Sequence, residues 1–526
     1  MTYGEYTGEY GWMLEEDQVY EGDLILIEDV LDLNGHTLTV TGDLVQLSGS
    51  ILVNEGKLIV KGDYHMQSRK ETGADYIYGK SSGRLKMLNE TDSVCVEGSF
   101  ISSSIIDSTD DLIAGTMEIK GDVEIDAAYS DKGFVASGSH TLILSGEESQ
   151  KVSFGKSSNS TSRLANLDLC NTSAEGVVFL SDADHKNAVY VSGTVKDTAK
   201  KVTGFIAIGS TTGFGDNAFG GSVFIGEKAA LKQDVTIEGD MELVANNDVS
   251  LYGNVVVKGN LFQNQTRLYM QKNSLTVYGD YTVGQNSPSA LYMTHAEDYI
   301  HVHGDVTYNP YYTGQNYLSA GTFEIGGNLT SKQGIQAHNT HRFLFSGTEK
   351  QTISIASNEY FATVELANES DEGVYSETTF AKQELITNGC RITYGDLQGE
   401  YGWTLTEDSV YEGDLVLIED TLDLNGHSLT VTGDLVQLSG TVFVNGGSLT
   451  VEGDYRIQFR EGGADGKEYT YGTSSGYLKM TNAADKVCVK GSYISDSSVT
   501  GTDYLTAGTL EIQGDFLVNS TASQKS

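Results

Sequence analysis

Proline is almost missing from this chain, with 2 residues in 526. Pro288 lies in Ser-Pro-Ser and Pro310 in Asn-Pro-Tyr, so no proline-dependent wall-sorting motif can be present. Cysteine is scarce too: 4 residues and no Cys-x-x-Cys pair, too few for a disulfide framework. Positive charge is short, with 33 Lys+Arg against 73 Asp+Glu and a net charge of −40. Nucleic acid and anionic membrane both demand positive charge, so neither is expected as a partner. No run of about 18 apolar residues occurs, so no membrane insertion is expected. The start, Met1-Thr-Tyr-Gly-Glu-Tyr, lacks the basic region and apolar core of a secretory signal. Helical spacing is equally rare. The best candidate helices, around Glu227–Asp234 and Ala381–Asn388, span two turns at most.

What the chain does have is repetition. A glycine, usually followed by Asp, recurs every 20 residues at Gly22, Gly42 and Gly62, at Gly239, Gly259 and Gly279, and at Gly413, Gly433 and Gly453. Such a period with strand-like flanks marks a solenoid of stacked coils. A larger unit contains these coils. Residues 20–49 and 411–440 differ only at Ile25/Val416, Val30/Thr421 and Thr37/Ser428. The match resumes from Gly73-Ala-Asp against Gly463-Ala-Asp, and Tyr3-Gly4-Glu5 matches Tyr394-Gly395-Asp396. A more diverged copy lies between. His140-Thr-Leu-Ile-Leu-Ser-Gly and His341-Arg-Phe-Leu-Phe-Ser-Gly open a second section in the first two copies. The expected divisions are 1–217, 218–394 and a truncated 395–526, joined as one continuous rod and cut from a longer array.

Alternation fixes the faces. Two residues before each column glycine the chain is apolar, as at Val40, Val60, Val96, Ile119 and Ile325. Two residues after, it is apolar again, as at Leu24, Leu44, Tyr64, Phe100 and Val123. A period of two sends these side chains inward. Interleaved positions such as Thr39, Ile59, Cys95 and Glu118 should face water. Glycine at the corner is expected to supply a backbone conformation closed to other residues, and Asp or Asn to bond the turning backbone. The fold expected is all-β, a parallel β-helix or β-solenoid with coils of roughly 20 residues. A β-sandwich array is the alternative.

The phrases Leu-Asn-Gly-His-Thr-Leu-Thr-Val-Thr-Gly-Asp (33–43), Gly-Tyr-Leu-Lys-Met-Thr-Asn-Ala-Ala-Asp (476–485) and Leu-Thr-Ala-Gly-Thr-Leu-Glu-Ile-Gln-Gly-Asp (505–515) carry a resemblance. They resemble a repeat of large secreted or wall-associated surface proteins from Gram-positive, clostridia-like bacteria. That resemblance implies an extracellular or wall-associated, repetitive surface protein and brings no catalytic residues to transfer.

Candidate chemistry is thin. His301 and His303 share an outer face with His295 nearby, a spacing that could hold a transition metal. The equivalent Cys95/Glu97 and Cys488/Lys490 are not a ligand pattern, so surface variation is the favoured explanation. The Asp columns invite Ca2+, yet Ser99, Asn260, Asn328 and Ser492 interrupt them, and turn geometry explains them better. Thr39-Val-Thr41 suggests an ice-binding ladder, which Lys61, Lys120 and Lys258 break. Tyr308, Tyr311, Tyr312 and Tyr317 could stack sugars. The acid pairs Glu28-Asp29, Asp110-Asp111 and Glu419-Asp420 are sequence neighbours, which strands send to opposite faces. No catalytic, cofactor-binding or metal residue is therefore assigned and no cofactor is expected. The expected role is a non-enzymatic structural or adhesive segment, a stalk or adhesin array. Its expected partner is a surface ligand, either a glycan or a host or cell-surface protein. The alternatives are a carbohydrate-binding array and, third, a polysaccharide-degrading β-helix enzyme.

Overall fold

In the computed structural model the residues described are 2–3, 6–72, 75–332, 334–356, 359–388, 390–395, 399–462 and 469–519. Alternation becomes a parallel ladder. Strands Thr37–Val40, Lys57–Val60, Ser93–Val96, Thr116–Ile119 and Thr141–Leu144 pair in parallel and in register. Leu38, Leu58, Val94, Met117 and Leu142 form one inward column, all at most 1% exposed. The outward column beside it, through Thr39, Ile59, Cys95 and Glu118, is half-buried. The protein is all-β, a parallel β-solenoid of about 23 turns with about 21 residues per turn.

The described residues form two compact units, Met1–Val302 with Asn309–Gly321, and His303–Tyr308 with Thr322–Ser526. The division falls inside the second sequence copy. In the second unit Ser428–Val431, Ser448–Val451, Lys486–Val489 and Thr509–Ile512 repeat the in-register parallel pairing. Antiparallel hairpins leave the coil at matching places in copies one and three: Ser68–Thr72 with Asp75–Gly79, and Phe459–Gly462 with Tyr469–Gly472. Gly73, Ala74 and 463–465 of the matched Gly-Ala-Asp phrases lie outside the described residues, as do Gly4, Glu5 and Asp396.

Neither candidate helix forms. Ala229–Leu231 and Ala381–Ile386 are strands, paired in parallel with Asp248–Leu251 and Tyr360–Leu366. A helix of two turns does not recover its nucleation cost, whereas the neighbouring coil offers a ready row of partners. Among the described residues the helical element is a single 3-10 turn, Gly215–Asn217.

The column glycines serve a different purpose from the one expected. Of the nine glycines that recur every 20 residues, only Gly22 and Gly413 have positive φ, 85° and 88°. The others sit in ordinary backbone conformations, and the preceding turn is what excludes a side chain. A Cβ at Gly62 would fall 2.2 Å from Asp43 Oδ1 and 2.9 Å from the Gly42 carbonyl. This closeness comes from a glycine ladder, in which the Gly42 N–H donates to Gly22 O and the Gly62 N–H to Gly42 O, both at 3.0 Å. Beside it runs a side-chain ladder. Asp23 Oδ1 accepts the Asp43 amide (3.0 Å), Asp43 Oδ1 the Asp63 amide (2.9 Å), and Asp63 Oδ1 the Ser99 amide (2.7 Å). Ser99 Oγ then accepts from Asp122 N, and Asn260 Oδ1 from Asp280 N. The column thus requires a short side chain with an acceptor oxygen, which is why Asp, Asn and Ser interchange there.

Candidate functional site

Internal duplication separates scaffold from site. Gln46, Gln263 and Gln437 are fully buried at the same place in the three copies. Each accepts a tyrosine hydroxyl from the next turn, from Tyr64 (2.6 Å), Tyr281 and Tyr455 (2.8 Å), and each donates to two carbonyls, one three residues along its own turn and one in the next turn. Asp92, Asp298 and Asp485 are at most 1% exposed, and each carboxylate accepts three backbone N–H groups. Gln150 and Gln351 repeat a third such knot with Asn171 and Asn368. Polar groups buried and satisfied in this way rigidify a core. Because they recur with the coil, they belong to the scaffold.

The residues marked by the sequence disperse. His301 is half-buried in strand Tyr299–Val302, Val302 is buried, and His303 is exposed just beyond the strand. Among the described residues no group of three or more His, Cys, Asp or Glu could hold a metal. Thr41 Oγ1 accepts the Gly22 amide (2.8 Å) and donates to Glu21, so this threonine serves the corner. Asp111 is 1% exposed and bound by both arms of Arg84 at 2.9 and 2.8 Å. Asp29 and Asp420 occupy left-handed turns with φ of 70° and 57°.

The tyrosine platform is not assembled as expected. Tyr308 is buried at 1% exposure. Tyr317 packs its ring on Tyr292 (4.7 Å), which stacks on Tyr269 (4.2 Å, 14°). Tyr292 thus lies between two other rings. Tyr311 and Tyr312 alone of the four are exposed, edge to face at 4.9 Å.

One constellation is not duplicated. Strands Val189–Val191, Phe205–Ile208, Ser222–Ile225 and Met241–Leu243 stack in parallel, putting Tyr190, Ala207, Phe224 and Glu242 in one outward column. Outward positions elsewhere are polar or mixed, but here three in succession are apolar. Their coils are short, 17 residues from Tyr190 to Ala207 and from Ala207 to Phe224. Tyr190, Ala207 and Phe224, with Ala188, Phe205 and Val244, make a small apolar cluster on the outer face. Loop residue His185 covers one flank, stacked on Phe205 at 3.9 Å and 3.8 Å from Glu242. The Glu242 carboxyl is raised by burial, against the pull of His185.

The other flank opens into a cavity of about 260 Å3 bounded by Ala207, Ile208, Phe224 and Val244 below and by Asn159, Glu227 and Gln265 at the rim. The Tyr190 hydroxyl donates to Glu227 Oε1 at 2.7 Å. Burial, and then this carboxylate, hold the phenol well above its usual range. Gly209 makes the contact possible, since a Cβ there would lie 2.1 Å from the Tyr190 oxygen. Tyr375 overlies Gly395 in a similar way, but its column neighbours are Thr352 and Thr393 and no apolar floor results. An apolar floor beneath a few convergent polar groups can bind and orient a small ligand. Sequence reading passed over Tyr190, Phe224 and Glu227. The available signal was the shortened period with apolar residues on the outer positions.

Comparison with family models, with characterised proteins and with solved structures returned no match.

Proposed function

We propose that this chain is a non-enzymatic, extracellular or wall-associated structural segment, a stalk or adhesive array of a bacterial surface protein. The observation that carries it is the side-chain ladder. The acidic residues most repeated in the sequence are engaged in binding one turn to the next, through Asp23, Asp43 and Asp63 in copy one and Asp414, Asp434 and Asp454 in copy three. Their function is cohesion between coils. Repetition along the chain would then multiply weak contacts with a surface ligand, a glycan or a cell-surface protein, by avidity. The −40 charge supports a soluble, self-repelling surface segment. Adherence of the purified chain to glycan-coated and cell-surface-protein-coated beads tests this role. Binding to neither, or turnover of an acidic polysaccharide abolished by one carboxylate substitution, would defeat it.

A carbohydrate-binding array is the second reading; the groove beside Tyr190, which occurs once, favours carbohydrate binding at that one place.

A further inference from the structure

We propose that the groove formed by Ala207, Phe224, Val244, Glu227, Gln265 and Asn159 binds one ring of an uncharged glycan. The inference rests on the adhesive role above and names the ligand class and the place where it is held.

Four features converge on this ligand. First, the floor is apolar where the solenoid's outer face is elsewhere polar or mixed, and the Phe224 ring lies within it. The C–H face of a pyranose packs on such a surface, as apolar faces of ligands generally do on aromatic side chains. Second, the rim carries hydrogen-bonding groups suited to hydroxyls. One Glu227 oxygen holds the Tyr190 hydroxyl, leaving the carboxylate's remaining lone pairs as acceptors, while the Gln265 and Asn159 amides can donate and accept. Third, the charge selects. A net −40, with Glu227 at the rim and Glu242 in the same column as the floor, repels acidic sugars and phosphates. Lys186, the cation lining the groove, is tied to Asp184 and so does not draw an anionic ligand in. Fourth, a volume of about 260 Å3 suits one ring and is below the range usual for larger ligands.

The groove is also built with some care by the backbone. Gly209 admits the Tyr190 hydroxyl, and a Cβ at Gly226 would strike the Phe224 ring at 2.6 Å. Tyr190 therefore depends on a glycine of the next turn, and Phe224 on one two residues along its own.

The test is titration of the full chain with methyl glycosides of neutral hexoses and N-acetylhexosamines, followed by saturation-transfer NMR. Saturable binding of at least one, with Kd on the order of 1 mM, is expected. Glu227→Gln and Gln265→Ala should each weaken it at least about fivefold, a loss typical of one hydrogen bond to a charged or polar partner. Gln265 is only half-buried, so its variant keeps the test valid if Glu227→Gln unfolds. No saturable signal from any glycoside, or equal binding by wild type and both variants, would overturn the proposal. Glycoside binding without adherence to coated beads would support the groove and overturn the adhesive role instead.

Discussion

The duplicated coils of copies one and three and the single stretch 181–245 use the same backbone plan to different ends. In the duplicated coils the inward polar groups are matched to partners. Gln46 and Gln437 each make three side-chain bonds, and the outward column is polar or mixed. In the single stretch shorter coils bring Tyr190, Ala207 and Phe224 to the outside, and a carboxylate stands beside them. Duplication therefore acts as an internal control. What recurs is required by stacking, and what occurs once is free to be something else.

The comparison extends to single positions. Arg84 and Asp111 of copy one form a two-armed ion pair, while Tyr477 and Tyr504, at the same places in copy three, pack their rings at 4.2 Å. Two unrelated chemistries span one gap between adjacent turns, so geometry rather than charge is what this site specifies. A similar exchange separates copies one and two. Ser162 Oγ accepts the Phe134 amide at 3.2 Å. In the matching place Glu359, 1% exposed, accepts the Ile335 amide and the Ser331 hydroxyl.

The strongest way to break the contrast is to cut a duplicated knot. Gln46→Leu strands the Tyr64 hydroxyl and two carbonyls, and should cost about 4 kcal/mol in urea unfolding. Next comes the glycine ladder. Gly62→Ala drives a methyl into Asp43 Oδ1 and should cost about 3 kcal/mol. Gly22→Ala meets nothing within 4 Å and incurs only its positive φ, about 1 kcal/mol. Equal losses at the two glycines would contradict the distinction between close approach and backbone conformation.

The exchange between copies can be made directly. Arg84→Tyr alone abandons the buried Asp111 carboxylate and should cost about 3 kcal/mol. Adding Asp111→Tyr should recover most of it by rebuilding the stack found in copy three, and a double variant no better than the single would refute the equivalence. Glu359 gives a pH signature that Ser162 cannot. Burial is the main cause that pushes its carboxyl up from 4.5 to about 7, against the Ile335 and Gly334 amides and the Ser331 hydroxyl. The protonated form fits the folded state better. Stability from this group is therefore fully present below pH of about 4.5 and is lost as pH rises through about 7. Glu359→Gln should flatten that decline and raise the melting temperature at pH 8 by about 2 °C. An unchanged pH profile would show the group to be solvated. Smallest of all, Gln265→Ala at the groove rim should move stability by less than about 0.5 kcal/mol, since it holds no turn together.

Much of the scaffold was legible in the residues themselves. Val40, Val60 and Val96 alternate with mostly polar neighbours, and that alternation at a fixed 20-residue pitch favoured stacked coils over a β-sandwich array. The reason for the glycines was not legible. A residue that must lack a side chain looks the same in sequence whether its φ is positive or its neighbour is close. Tyr308 illustrates the same limit from the other side. As one tyrosine among four it resembled a sugar platform, yet it is an inward residue four after Gly304, in strand Val306–Tyr308.

The amino-acid order alone determined the period, the inward columns and the all-β class, because those follow from local alternation and from repeated corners. Only the tertiary structure decided which oxygen meets which amide in the next turn. It also decided that Tyr190 and Glu227, 37 positions apart, share one hydrogen bond over a bare glycine. Such contacts join residues from separate turns, and the distance between turns is set by stacking, which no single coil encodes.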